Sequence, residues 1–182
     1  MSDDDRGVGM VRPAAADELL RFYDEALPEV YGYLRRRCEG REVAEDLTAE
    51  TWLAAVAAVR DGGSPPLGLP WIIGVARHEL VDHWRRQGRA GRNLEVLAVA
   101  GGAGEDLDDP WEQRLDAVAA HATLAGLPGH YRQVLTLRYL DDLPVPEVAG
   151  LLGVSVHAAE GLLVRARGAF RKACAGGGRD RA

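Results

Sequence analysis

The stretch Leu127–Lys172, LPGHYRQVLTLRYLDDLPVPEVAGLLGVSVHAAEGLLVRARGAFRK, decides the fold of the C-terminal half of the chain. Leu127-Pro128 opens a helix along which Tyr131, Val134, Leu137 and Leu140 recur at about one helical turn. Asp141-Asp142-Leu143-Pro144 ends it, because the residue before a proline is pushed out of the α region. The spacing predicts a short second helix with Val145, Val148, Ala149 and Leu152 on one face. Gly153 suits the left-handed position after its last turn. Ser155 is then placed to cap a third helix, whose buried face is Ala159, Leu162, Leu163, Ala166 and Phe170. A short helix, a glycine-containing turn and a capped basic helix form the arrangement that lays a recognition helix in a DNA major groove. A three-helix bundle that binds no nucleic acid shares much of this pattern. The tight Gly153-Val154-Ser155 turn together with Arg165, Arg167, Arg171 and Lys172 favours DNA.

At 182 residues the chain allows one medium domain or two small ones. Hydrophobic residues make up 47% and aromatics only 6%, so alanine, leucine and valine fill the cores, which favours helices. The net charge of −6 argues at first against nucleic acid. Much of the acid, however, lies in Asp3 to Asp5 and in Glu105, Asp106, Asp108, Asp109, Glu112 and Asp116. Arginines gather at Arg77 to Arg92, and basic residues again at Arg165 to Lys172. Local patches set the field that a phosphate feels, so an acidic protein can bind DNA through two basic faces. Cys38 and Cys174 match no zinc spacing and no disulfide framework, and read as two free thiols. No apolar run is long enough to span a bilayer, and the acidic N-terminus is not a signal peptide. A soluble, cytoplasmic chain is expected.

Upstream the pattern is also helical. One helix carries Leu19, Leu20, Phe22, Tyr23 and Leu27 and runs past Pro28 through Val30, Tyr31, Tyr33 and Leu34 to Arg35-Arg36-Arg37. A second runs from about Glu42 to Arg60, with Val43, Leu47, Trp52, Val56 and Val59 inside. Asp61 to Pro70, rich in glycine and proline, is a loop. A further helix starts near Trp71 and ends in Arg85-Arg86-Gln87-Gly88-Arg89. Ala90 to Pro110 is rich in glycine and acid and reads as a flexible linker. An all-α fold of two small helical domains is expected: a tail (1–14), a first domain (15–89), a linker (90–110), a second domain (111–174) and a tail (175–182). There are no internal repeats.

Four segments, in order, carry a family resemblance. They are Ala44-Glu45-Asp46-Leu47-Thr48-Ala49-Glu50-Thr51-Trp52; Trp71-Ile72-Ile73-Gly74-Val75-Ala76-Arg77-His78-Glu79-Leu80-Val81-Asp82; Leu127-Pro128 with Val134-Leu135-Thr136-Leu137-Arg138-Tyr139; and Arg165-Ala166-Arg167. Together they resemble the extracytoplasmic-function sigma factors of bacterial RNA polymerase, the minimal type with only regions 2 and 4. The resemblance implies region 2 in the first domain and the region 4 helix-turn-helix in the second. It implies promoter recognition at the −10 and −35 elements and transcription initiation. The implied partners are core RNA polymerase (β′ clamp helices and β flap), promoter DNA and, as in many relatives, an anti-sigma factor. No enzyme activity, cofactor, metal, membrane or small-molecule substrate is implied.

The resemblance also assigns residues. Glu45, Asp46 and Glu50 would meet the polymerase, Asp46 and Glu50 sharing one helix face at i and i+4. Ala49 stands where the family has glutamine. Trp71, Arg77, His78, Arg85, Arg86 and Arg89 would hold the −10 strand, with the loop before Trp71 capturing an unpaired base. Gly62 and His78 depart from the family's usual aromatic and asparagine. Ser155, His157, Ala158, Glu160, Gly161, Arg165, Arg167, Arg171 and Lys172 would face the −35 element. There Glu160 replaces a base-facing cation and Leu162 an arginine, and Glu160 either reads a base or pairs with a nearby arginine such as Arg167. The remaining basic residues would hold phosphates, which position without specifying sequence.

Two other readings compete. One is a helix-turn-helix regulator with an N-terminal helical sensing domain, which has no reason to carry the two upstream segments. The other is a small hydrolase using His78 and Glu79. His78 and His83 lie at i and i+5, about 140° apart around a helix, whereas a zinc pair needs i and i+4. No phosphate loop or nucleophile elbow occurs.

Overall fold

The computed structural model describes residues 13–60, 67–89 and 122–177, and their secondary structure is helical throughout. The expected linker 90–110, most of the loop 61–70, and the outer parts of both tails lie outside the described residues. The chain divides into two compact units, Met1–His83 and Trp84–Ala182.

The first unit is built on α1 (Pro13–Arg35) and α2 (Arg41–Arg60), which pack against each other. Helix α1 begins earlier than its apolar pattern indicated and ends at Arg35, two residues short of the expected basic end. It passes through Pro28, whose missing N–H leaves one carbonyl unbonded at exposed Asp24, where solvent can replace the bond. Its inner side holds Ala26, Val30, Tyr33 and Leu34. On α2 the buried residues Ala44, Leu47, Thr48, Thr51, Trp52 and Ala55 recur at helical spacing. Both buried hydroxyls are satisfied inside the helix: Thr48 Oγ1 donates to the Ala44 carbonyl (2.6 Å) and Thr51 Oγ1 to that of Leu47 (2.7 Å). Trp52 is the hub, with Phe22 and Tyr23 edge-on at 5.8 and 4.7 Å between ring centroids.

Val56, expected inside, is 38% exposed, and Leu20 on α1 is 65% exposed. Val56 borders its helix's buried stripe, so an apolar pattern alone assigns it to the wrong side. Helix α3 (Leu69–Arg89) starts two residues before Trp71, with the Gly68 carbonyl accepting from the Trp71 and Ile72 amides (3.0 and 3.1 Å). Ile72, Ala76, Leu80, Val81 and Trp84 form its buried side.

In the second unit α4 (Gly129–Leu135) runs into a π-helical turn, Thr136–Leu140, followed by α5 (Val145–Leu152) and α6 (Val156–Gly177). Helix α6 packs on both α4 and α5. Its last turn extends past Cys174, where a frayed tail was expected. The π turn is a second departure. The Asp141 amide reaches back five residues to the Thr136 carbonyl (3.0 Å), and the Leu143 amide six, to that of Leu137 (3.1 Å). The wider turn rotates Leu140 off the buried stripe, where its spacing had put it, to 46% exposure, and Leu143 is buried after it. The core is Val134, Leu135, Leu137, Val148, Ala149 and Leu152 against Ala159, Leu162, Leu163, Ala166 and Phe170. Each fully buried leucine here contributes about 1.5–3 kcal/mol of transfer free energy.

Candidate nucleic-acid interface

Local chemistry fixes the geometry of α5 and α6. Pro144, in extended backbone, presets the start of α5, its carbonyl accepting from the Glu147 and Val148 amides (3.0 and 3.1 Å). Gly153 ends α5 in the left-handed conformation (φ 70°, ψ 34°), and the Val154 amide returns to the Ala149 carbonyl at 3.0 Å. Ser155 then caps α6, its Oγ accepting from the Ala158 amide at 3.2 Å. The two helices are bent by 100° at this three-residue break. That angle is the one a helix-turn-helix requires, and it turns one side of α6 outward.

On that side His157 and Glu160 are exposed, Gly161 and Val164 half-buried, and Arg171 and Lys172 exposed near the far end. Arg165 and Arg167 are half-buried on the flanks. Ala158 leaves the expected set, because its side chain is buried and its amide is taken by Ser155. Glu160 has His157 as a neighbour, Nδ1 to Oε2 at 3.9 Å, an ion pair only when the imidazole is protonated.

Along α3, Trp71, His78 and Arg85 fall at i, i+7 and i+14, within about 40° of one another at 100° per residue, and Arg89 continues this line. Arg77 lies well off it on a half-buried flank, and Arg86 is exposed on the other. Asp82 shares the line, so the stripe is not uniformly basic. Trp71 is half-buried, its ring 6.5 Å from that of Phe22. His78 is exposed, with Nδ1 2.8 Å from the Gly74 carbonyl. A carbonyl only accepts, so Nδ1 carries a proton in this contact.

On α2, Asp46 is exposed and Glu50 half-buried on one face, with Ala49 between them. Glu45 is held by Arg41, whose Nε donates to Oε1 at 2.7 Å. The sequence reading missed Leu53, which continues this face at i+7 from Asp46 and is 70% exposed. Its signal was an apolar residue out of register with the buried stripe. Among the described residues no group of three or more His, Cys, Asp or Glu side chains is placed to hold a metal. No single described helix is long and apolar enough to cross a membrane.

The family models for sigma-70 region 2 and sigma-70 region 4 match residues 22–90 and 117–170, in that order. An extracytoplasmic-function (ECF) sigma factor, SigF of Caulobacter vibrioides, is 31% identical over 74% of this chain and 73% of its own length. The chain belongs to the ECF family of RNA polymerase sigma factors. It is thus a sigma factor of transcription initiation. The ECF sigma factor BldN of Streptomyces coelicolor is similarly close, 31% identical over 91% of this chain, which spans 64% of BldN's length. In structure the sigma factor is similar to RpoE of Bartonella quintana, crystallised in complex with the anti-sigma factor NepR. The TM-score is 0.52 at 17% identity, over 86% of this chain and 96% of that one, which supports the all-helical fold.

Proposed function

We propose that this sigma factor binds core RNA polymerase through α2 and promoter DNA through α3 and α6. Residues 15–89 act as region 2, 90–110 as the linker, and 111–174 as region 4. The observation that carries this reading is the capped α6 set at 100° to α5, with His157, Glu160, Arg171 and Lys172 exposed along it among the described residues. Asp46 and Glu50 form the docking face on the β′ clamp helices, and Leu53 beside them supplies apolar contact. Trp71 and His78 receive an unstacked −10 base, with Arg85, Arg86 and Arg89 toward the strand's phosphates. Arg77, half-buried on the flank, has the smallest part. His157, Glu160 and Gly161 face the −35 groove, and Arg165, Arg167, Arg171 and Lys172 hold its backbone.

The β flap and an anti-sigma factor complete the set of protein partners, in a cytoplasmic setting. The chain itself catalyses no reaction; the polymerase does. Adding the purified chain to core polymerase and sequencing the transcripts tests the reading. Discrete start sites with shared upstream elements support it, and start sites unchanged from core enzyme alone overturn it.

A further inference from the structure

Glu160 is an anomaly on a DNA-facing helix, since a carboxylate repels phosphates unless a donor meets it. It sits at the fifth residue of α6, in the N-terminal part that reaches base edges in helix-turn-helix docking. Its side chain is 58% exposed, and no hydrogen bond holds either carboxylate oxygen among the described residues. Its ionisable neighbour among the described residues is His157, 90% exposed, and the 3.9 Å between them is too long for a hydrogen bond. Among the described residues the acceptor sites of the carboxylate are therefore uncommitted. In the major groove cytosine N4–H2 is the amine donor that a carboxylate takes, whereas guanine and thymine present acceptors at the corresponding depth. Adenine N6 is also a donor, but the adjacent N7 lone pair repels the second carboxylate oxygen.

We propose that Glu160 is a specificity-determining residue that accepts a hydrogen bond from cytosine N4 at one position of the −35 element. The assignment rests on the promoter-binding reading of α6 given above. It sets one preferred base pair, and the flanking arginines act on all sequences alike.

Selection from a promoter library randomised across −35 tests this, using holoenzyme assembled from the full chain and core polymerase. Wild type should favour cytosine at one position, on the order of 5- to 150-fold over other bases. Glu160→Gln, nearly the same size, should shift that single position toward adenine, which a glutamine amide contacts at N6 and N7. All other positions should keep their preference. Glu160→Ala should remove the preference at that position alone. An unchanged motif in both variants overturns the assignment, as does a uniform rise in binding to every sequence, which loss of a negative charge alone produces. Absence of transcription from any library member with wild type overturns the promoter-binding reading itself. The two failures are thereby told apart.

Discussion

Gly153, at φ 70°, occupies a conformation in which a Cβ crowds the following carbonyl oxygen. Gly153→Ala should therefore cost about 1–2 kcal/mol, measured as a lower urea midpoint with unchanged slope. This residue and Ser155 were legible in the sequence because each backbone state selects few residue types. Val56 was not legible, because an apolar side chain at the border of a helical stripe looks the same inside or outside, whereas Leu53 stands on the side of α2 away from its buried stripe and its register carried the signal. Cys38 gives a second residue-scale expectation. Burial pushes its thiol up to about 11, against the opposing pull of Arg35 and Arg37. At pH 8 the thiolate fraction is then on the order of 0.1%. Iodoacetamide should label Cys38 slowly at pH 8, with the rate rising about tenfold per pH unit toward pH 11, as followed by peptide mass spectrometry. Rapid labelling at pH 8 would mean that the thiol is not shielded.

The helix-turn-helix was readable almost residue by residue, since cap, glycine and apolar period all agree there. What the sequence hid was the π turn before it. A period of 3.6 cannot register one residue absorbed inside a helix, so Leu140 was assigned to the core and Leu143 was not. Asp142 closes that turn at φ 52°, a state that aspartate tolerates better than most residues. Arg138 steadies it, donating from Nη1 to the Leu143 carbonyl at 3.3 Å. His130, in the first turn of α4, couples this element to pH. Burial, and secondarily the charge of Arg165, hold its pKa below the usual 6.5. The unfolded chain therefore takes up a proton that the folded chain refuses. Its contribution is complete above about pH 6.5 and falls as pH drops from there toward the folded pKa. Thermal melts between pH 7.5 and 5 should show this loss, and His130→Gln should flatten the slope. An equal slope in both proteins would assign the dependence to other groups.

At the scale of the whole chain, the sequence displayed two helical modules in order, while the edges of its helices needed coordinates. The net charge of −6 conceals a division of labour: carboxylates on the outer face of α2, cations along α3 and on α6. Reversing both acidic residues, Asp46→Arg with Glu50→Arg, should abolish co-purification with core polymerase, because like charges then oppose each other at a cost of several kcal/mol. Circular dichroism should remain helical, since neither residue belongs to the buried stripe of α2. Wild-type levels of co-purification would place the docking face elsewhere.

The π turn at Thr136–Leu140 also bears on how such chains change length. A π turn is an α turn that has gained one residue without breaking the helix around it. Removing a residue there, for example Tyr139, would return an ordinary turn and draw Leu140 back toward the core. Elsewhere in α4 or in α6 a deletion would turn every later side chain by about 100° and empty the core. This site is therefore the place in the helical core of the second unit where an insertion or deletion can be inherited at little cost. The Tyr139 deletion should melt cooperatively near the parent temperature, whereas a deletion within α6 should not fold.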